Sequence, residues 1–169
     1  MSEAKEWLIQ WLRDAHAMEQ QAETMINGQI SRLENYPELA SRLKTHLEET
    51  KGQAARLEQC LEQLGESTST LKDAGGKLMA MGQAASGLFA GDEVMKGSLA
   101  SFSFEAMEIA SYTILIEAAR YVNEEQIAQV CEQNLREEVE MAQWLKDNLG
   151  STTKMFMAGT FVDKETAKR

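Results

Sequence analysis

Hydrophobic residues recur at every third or fourth position along most of the chain, the spacing that one face of an α-helix produces. The first stripe predicts a helix from about Glu3 to Leu33, with Ser2 as its N-cap. The second predicts a helix from Pro37 to Gly65, because proline suits the first turn of a helix and glycine its end. The short break between the stripes predicts that these two helices are antiparallel neighbours.

Two more predicted helices follow in the second half of the chain. One is expected from about Ser98 to Val122. The other is preceded by Asn123, which with Gln126 three residues later resembles a capping box. This fourth helix is expected to begin there and to end near Gly150, its predicted C-cap.

The chain between the second and third helices has a different composition. Residues 65–97 hold seven of the eleven glycines, together with clusters of serine and threonine, which predicts a connection. No strand pattern competes, so the predicted fold is all-α: a ferritin-like four-helix bundle with a long crossover between the second and third helices. The predicted organisation is a bundle over residues 1–150, with residues 66–97 as the crossover, and a C-terminal tail over residues 151–169 that frays at its end.

Charge and composition exclude several classes of partner. The 169 residues carry 17 lysines and arginines against 27 aspartates and glutamates, a formal net charge of −10. A nucleic-acid partner is not expected, because phosphate binding needs clustered lysine and arginine. No window reaches the roughly 18 uncharged apolar residues of a membrane-spanning helix, so no membrane association is expected. Cys60 and Cys131 form neither a CxxC motif nor a zinc-ligand spacing with histidine, which favours reduced thiols in a cytoplasmic protein.

Several acidic residues lie at helix positions where the apolar stripe calls for a hydrophobic side chain. Each predicted helix contributes at least one of them near its middle, so we expect them to meet in one layer of the bundle core. On the third helix two glutamates share a face at i and i+3, and they are the only charged residues between Lys96 and Glu117. With one histidine of the second helix, the candidate metal ligands are Glu19, His46, Glu49, Glu105, Glu108 and Glu138.

An ionised carboxylate in an apolar interior costs several kcal/mol unless it is paired, protonated or bound to a metal. Inward lysines and arginines are scarce here, so a pair of iron or manganese ions would relieve the repulsion within the layer. Dinuclear bundles carry a Glu-x-x-His motif on two of their helices, but Gly52 and Met141 occupy the histidine positions of this chain. The deficit leaves His46 as a nitrogen ligand or an orienting partner and favours hard, oxygen-preferring ions. The alternative is a metal-free layer held by hydrogen bonds or ion pairs.

Four short runs resemble those of a known family. They are DAHAME at 14–19, HLEETKGQ at 46–53, FEAMEIASY at 104–112, and EE at 137–138 ahead of WL at 144–145. In this order they resemble the bacterial YciE/YciF ferritin-like proteins over about residues 5–150, and the YciE branch in particular. The resemblance implies a ferritin-like fold, a homodimer, a role in bacterial stress responses, and metal ligation by the same five glutamates. Val139 and Gln143 depart from the family pattern but remove none of these ligands.

Two hypotheses of function follow. In the first, a dinuclear iron or manganese centre reacts with dioxygen or peroxide in oxidase- or peroxidase-type chemistry, although no particular reaction is defined. Its expected terminal ligands are Glu19 and Glu138, and its expected bridges are Glu49 and Glu108. In the second, the protein is a non-enzymatic stress-response dimer that binds another protein and whose carboxylate layer holds no metal.

Overall fold

A computed structural model describes residues 2–66 and 91–162 of the chain. These residues form four helices, with no strand in the described ranges, and the all-α prediction is confirmed. The helices are α1 (Glu3–Ile30), α2 (Pro37–Gln63), α3 (Glu93–Tyr121) and α4 (Glu125–Val162). The predicted starts of α1 and α2 are also confirmed, since the Ser2 side chain accepts a hydrogen bond from the first turn of α1 and Pro37 opens α2.

Contacts at the bundle ends define the direction of the helices. Arg13 near the start of α1 pairs with Glu66 beyond the end of α2, so these two helices are antiparallel. At one end of α3, Lys5 Nζ lies 2.7 Å from Glu124 Oε1, and at the other end Gln29 Nε2 donates to the Gly97 carbonyl at 3.2 Å. Both α2 and α3 therefore run opposite to α1 and parallel to each other, the order that a crossover connection requires. The predicted ferritin-like crossover topology is confirmed, with α3 beginning at Glu93 and most of residues 66–97 outside the described ranges.

The turn between α3 and α4 differs from the predicted capping box. Asn123 has φ 62°, in the left-handed region that asparagine tolerates better than most residues. Its N–H bonds the Arg120 carbonyl at 3.0 Å, and the Glu124 N–H bonds the Ala119 carbonyl at 2.9 Å. Asn123 thus ends α3 instead of opening α4 with Gln126, because these bonds satisfy the last carbonyls of α3.

The predicted end of α4 is also wrong. The helix continues through Gly150 as far as Val162, so the first part of the predicted tail 151–169 is helical. A glycine inside a helix costs about 1 kcal/mol relative to alanine, which is too little to end a long helix. Residues 163–169 lie outside the described ranges.

In the described parts of the chain, the apolar core consists of two clusters that lie on either side of a polar layer. One cluster contains Leu8, Leu57 and Leu115, all fully buried, from the end of the bundle where α1 begins. The other contains Ile26 and Leu43 from the opposite end. Burial of each large aliphatic side chain contributes about 1.5–3 kcal/mol to the free energy of unfolding, so the two clusters stabilise the bundle on both sides of the polar layer.

Among the described helices, α3 alone is long and apolar enough to cross a membrane by length and composition. The sequence did not predict such a span, because Glu105 and Glu108 interrupt its apolar run. Both glutamates are buried in the bundle, where the inner face of α3 packs against α1 and α4. Its outer face carries exposed Leu99 and Ile114. α3 is apolar both on the face that packs in the bundle and on its outer face, and this accounts for its apolar composition.

Candidate metal centre

Four ligand-type side chains from three helices converge in the polar layer: His46 of α2, Glu105 and Glu108 of α3, and Glu138 of α4. One potential ligand atom of each lies within 4.8 Å of those of the others. None of the four residues is more than 3% exposed. Two atoms on opposite sides of a metal ion are separated by twice a bond length of about 2.0–2.6 Å, so this spacing suits one shared ion.

Helical periodicity explains why the third helix contributes two of these groups. Glu105 and Glu108 are three residues apart and Tyr112 follows four residues later, so all three lie on one face of α3. The remainder of that face is small or apolar, and it is buried against the neighbouring helices. The sequence prediction of an inward carboxylate pair on this helix agrees with the buried positions of both glutamates.

The imidazole of His46 separates Glu49 from the other carboxylates. Its Nδ1 lies 2.8 Å from Glu49 Oε2, whereas its Nε2 lies 3.2 Å from Glu105 Oε1 and 3.5 Å from Glu138 Oε2. The side chain of Glu49 is 24% exposed and also pairs with Arg42 at 3.3 Å. Glu49 is therefore outside the four-residue cluster and is placed to orient the imidazole, as carboxylates do for metal-bound histidines.

Electrostatics follow from this arrangement. Burial lowers the pKa of His46, but the adjacent Glu105 and Glu49 carboxylates outweigh it and raise that pKa to about 9. The hydrogen bond to His46 holds the pKa of Glu49 below its ordinary value. One cationic imidazole does not offset the negative charge of several carboxylates. Burial and the neighbouring carboxylates therefore still raise the pKa of Glu108 and of Glu138 well above the ordinary range.

Glu19 brings a fifth carboxylate to the layer from α1. It is fully buried, and its Oε1 accepts a hydrogen bond from the Tyr112 hydroxyl. Its Oε2 has no hydrogen-bond partner in the described part of the chain. Burial raises the pKa of Glu19 to about 8, and the bond from Tyr112 opposes that rise. Glu19 lies outside the four-residue cluster, although the charges of His46 and Glu105 act on it.

Buried oxygen atoms without a donor are concentrated in this layer. Both oxygens of Glu108 and of Glu138, and one oxygen of Glu105, accept no hydrogen bond from an N–H or hydroxyl group of the described residues, so Glu108 and Glu138 have only carboxyl groups as hydrogen-bond partners. Gln53 and Thr50 of α2 add further buried polar atoms that have no hydrogen-bond partner within residues 2–66 and 91–162. Unpartnered buried oxygens are costly, and a cation would satisfy several of them at once. The donor set of carboxylates with one imidazole fits iron or manganese.

Sequence reasoning missed two polar residues that adjoin the site. Tyr112 and Asn134 are both fully buried, and the Asn134 amide donates to the Tyr112 oxygen at 3.0 Å. The spacing could have revealed them, since Tyr112 follows Glu108 by four residues and Asn134 precedes Glu138 by four. Each therefore shares a helix face with a candidate ligand.

A four-helix bundle with this crossover and a buried layer of carboxylates and histidine has the architecture of a ferritin-like protein. The chain belongs to the family described as Domain of unknown function (DUF892), which matches residues 3–158.

Three solved structures are similar to this chain over most of their lengths. A protein from Xanthomonas campestris pv. campestris is 43% identical, with 92% of this chain and 97% of that chain covered and a TM-score of 0.79. YcfI from Rhodopseudomonas palustris is 27% identical, with 86% and 94% covered and a TM-score of 0.70. The stress protein YciF of E. coli is 23% identical, with 88% and 96% covered and a TM-score of 0.71. The predicted membership of the YciE/YciF-like proteins is confirmed.

Proposed function

We propose that this protein binds a dinuclear iron or manganese centre in the bundle core and uses it in oxidase- or peroxidase-type redox chemistry. The observation that carries the proposal is the set of buried carboxylate oxygens without donors around His46. A fold without a ligand for these groups would pay their full desolvation cost. Bound ions would offset that cost and would supply the electrons for reducing dioxygen or peroxide.

The contacts suggest a role for each candidate residue. Three residues would hold the first ion from one side: His46 through Nε2, Glu105 and Glu138. Glu108 and Glu19, which have three buried oxygens without an N–H or hydroxyl donor among the described residues, would hold a second ion. Glu49 would orient His46 through Nδ1 instead of serving as the bridge expected from the sequence. The apolar clusters on either side would exclude water from the site.

The decisive measurement is elemental analysis of untagged protein purified without chelators. Wild-type protein should hold about two iron or manganese ions per chain, the number typical of such bundles. Glu138→Gln should lose them, whereas the matched control Glu140→Gln, an exposed position of the same helix, should retain them. If the protein does not bind added iron or manganese, the metal site is refuted and a structural role of the carboxylate layer is favoured.

Redox activity requires a separate test. After anaerobic loading with ferrous ion, addition of peroxide should oxidise the metal faster in wild-type protein than in Glu108→Ala. The exposed Glu48→Ala provides the matched control, because Glu48 lies on α2 outside the core. Equal rates in all three proteins would remove the enzymatic claim and leave metal binding as the proposed function.

The outer face of α3 supports a proposed homodimer. It exposes Leu99 by 64% and Ile114 by 53%, and between Lys96 and Glu117 its charged residues are both buried. An uncharged face of this length is typical of a surface that another subunit covers. Sedimentation analysis should give a dimer for wild-type protein and a monomer for Ile114→Glu. A wild-type monomer would contradict the proposal.

We also propose the compartment and the cellular response in which the protein acts. The two cysteines are free and buried, which suits a reducing cytoplasm. The similar E. coli protein is named as a stress protein, and we propose a stress-response role for this chain as well. The second hypothesis, a stress-response dimer without metal, becomes the better one if the elemental analysis finds no metal.

A further inference from the structure

A chain of hydrogen bonds links the bundle surface to Glu19 and uses one residue from each helix. The Arg56 guanidinium of α2 donates through Nε to Asn134 Oδ1 of α4 at 2.7 Å. The Asn134 amide donates to the Tyr112 oxygen of α3 at 3.0 Å, and the Tyr112 hydroxyl donates to Glu19 of α1. At its outer end Arg56 is also held by Glu137 at 2.5 Å.

Every donor in this chain points toward Glu19. The series begins at a cation and ends at a carboxylate, so the aligned dipoles polarise one another and strengthen the last bond. Arg56 is 22% exposed and keeps its charge in contact with water, whereas Asn134, Tyr112 and Glu19 are fully buried. The hydrogen-bond chain therefore brings the influence of a surface cation to a buried carboxylate that forms no ion pair with a lysine or arginine of the described residues.

The chain also distinguishes the two oxygens of Glu19. Oε1 is occupied by the Tyr112 hydroxyl, and Oε2 is buried without a partner. A phenylalanine would fill the space of the Tyr112 ring, which belongs to the apolar cluster of Leu115 and Ala119. The Tyr112 hydroxyl is thus a polar group at an otherwise apolar position, and both of its hydrogen bonds, to Asn134 and Glu19, are links of the hydrogen-bond chain.

We propose that Arg56, Asn134 and Tyr112 are positioning residues that orient Glu19, so that its Oε2 alone is presented to a metal ion. The proposal rests on the proposed dinuclear site. It adds a division of that site: the ion near Glu19 depends on the hydrogen-bond chain, and the ion near His46 does not.

The test is a Mn²⁺ titration of metal-free protein, followed by calorimetry and by electron paramagnetic resonance. Tyr112→Phe should bind the first ion normally and the second about 10–100-fold more weakly, the usual loss when a partner of a metal ligand is removed. The spectrum of two coupled ions should give way to the six-line signal of isolated Mn²⁺. A purely structural role for the tyrosine would not change that coupling.

Matched variants separate positioning from packing. Tyr36→Phe removes a hydroxyl from another buried tyrosine and should leave both ions bound. Arg56→Met should weaken the second ion, and Arg56→Lys, which retains a charged donor, should largely restore it. Two ions bound equally well by wild-type and Tyr112→Phe protein would overturn the positioning role while leaving the proposed function intact. A wild-type protein that binds no Mn²⁺ or iron would overturn both.

Discussion

The two histidines of this chain are both buried, yet their surroundings differ. His16 is 2% exposed and meets Glu58 at 2.8 Å, a carboxylate that is itself 43% exposed to solvent. His46 is 1% exposed and lies between three carboxylates, two of them almost completely buried. Glu58 gives the buried His16 ring a hydrogen-bond partner that remains in contact with water. The carboxylates around His46 instead include buried oxygens that no N–H or hydroxyl group of the described residues reaches.

The difference shows which feature identifies a candidate site. A buried histidine with one partner is a common structural element, since most buried polar groups find a hydrogen bond. Unpartnered oxygens around a histidine are uncommon and demand a ligand, a proton or an energetic cost. Three predictions test whether the two histidines differ in function as they do in surroundings.

The largest expected effect is metal-dependent stabilisation at the His46 site. Mn²⁺ at 1,000 times its dissociation constant should add about 4 kcal/mol to the free energy of unfolding, or roughly 10 °C in melting temperature. Glu108→Gln should abolish this increase and leave the metal-free protein equally or more stable, because an unpaired buried carboxylate is removed. Differential scanning calorimetry measures both values. The control Glu58→Gln, beside His16, should retain the full increase, and retention in Glu108→Gln would locate the ions elsewhere.

The second effect is the pH dependence of the metal-free protein. Glu19 has a folded-state pKa of about 8, so its contribution to the free energy of unfolding falls as pH rises from about 4.5 to 8. His46 has a folded-state pKa of about 9, so its stabilising charge is complete below about 6.5 and is lost through 9. Both shifts lower stability as pH rises from 6.5 to 9, by about 5 °C or more in melting temperature. Thermal melts in chelator should show this fall, and a flat or rising profile would contradict it.

The smallest effect concerns the orienting carboxylate of His46. Glu49→Gln should weaken Mn²⁺ binding about 10-fold without abolishing it, because the imidazole loses its ionised partner at Nδ1. Isothermal titration calorimetry measures the change, with the exposed neighbour Glu48→Gln as the control. A complete loss of binding would instead make Glu49 a bridging ligand, as the sequence predicted.

The inward carboxylates could be predicted because burial along a helix follows a period of 3.6 residues. Glu19, Glu105, Glu108 and Glu138 interrupt apolar stripes, and all four are at most 3% exposed. The end of α4 could not be predicted in this way. Gly150 is compatible with both a helix end and a helix interior, and the difference of about 1 kcal/mol is easily outweighed by the rest of a long helix.

The sequence by itself determined four helices, their antiparallel or crossover order and the polar layer within the core, because these properties depend on residue spacing along single helices and on the lengths of the connections between them. Tertiary structure alone decided that Glu49 lies behind the His46 imidazole and that Tyr112 bonds Glu19. Such contacts depend on the rotation and axial offset of neighbouring helices and on side-chain rotamers, which side-chain packing establishes only when the helices assemble.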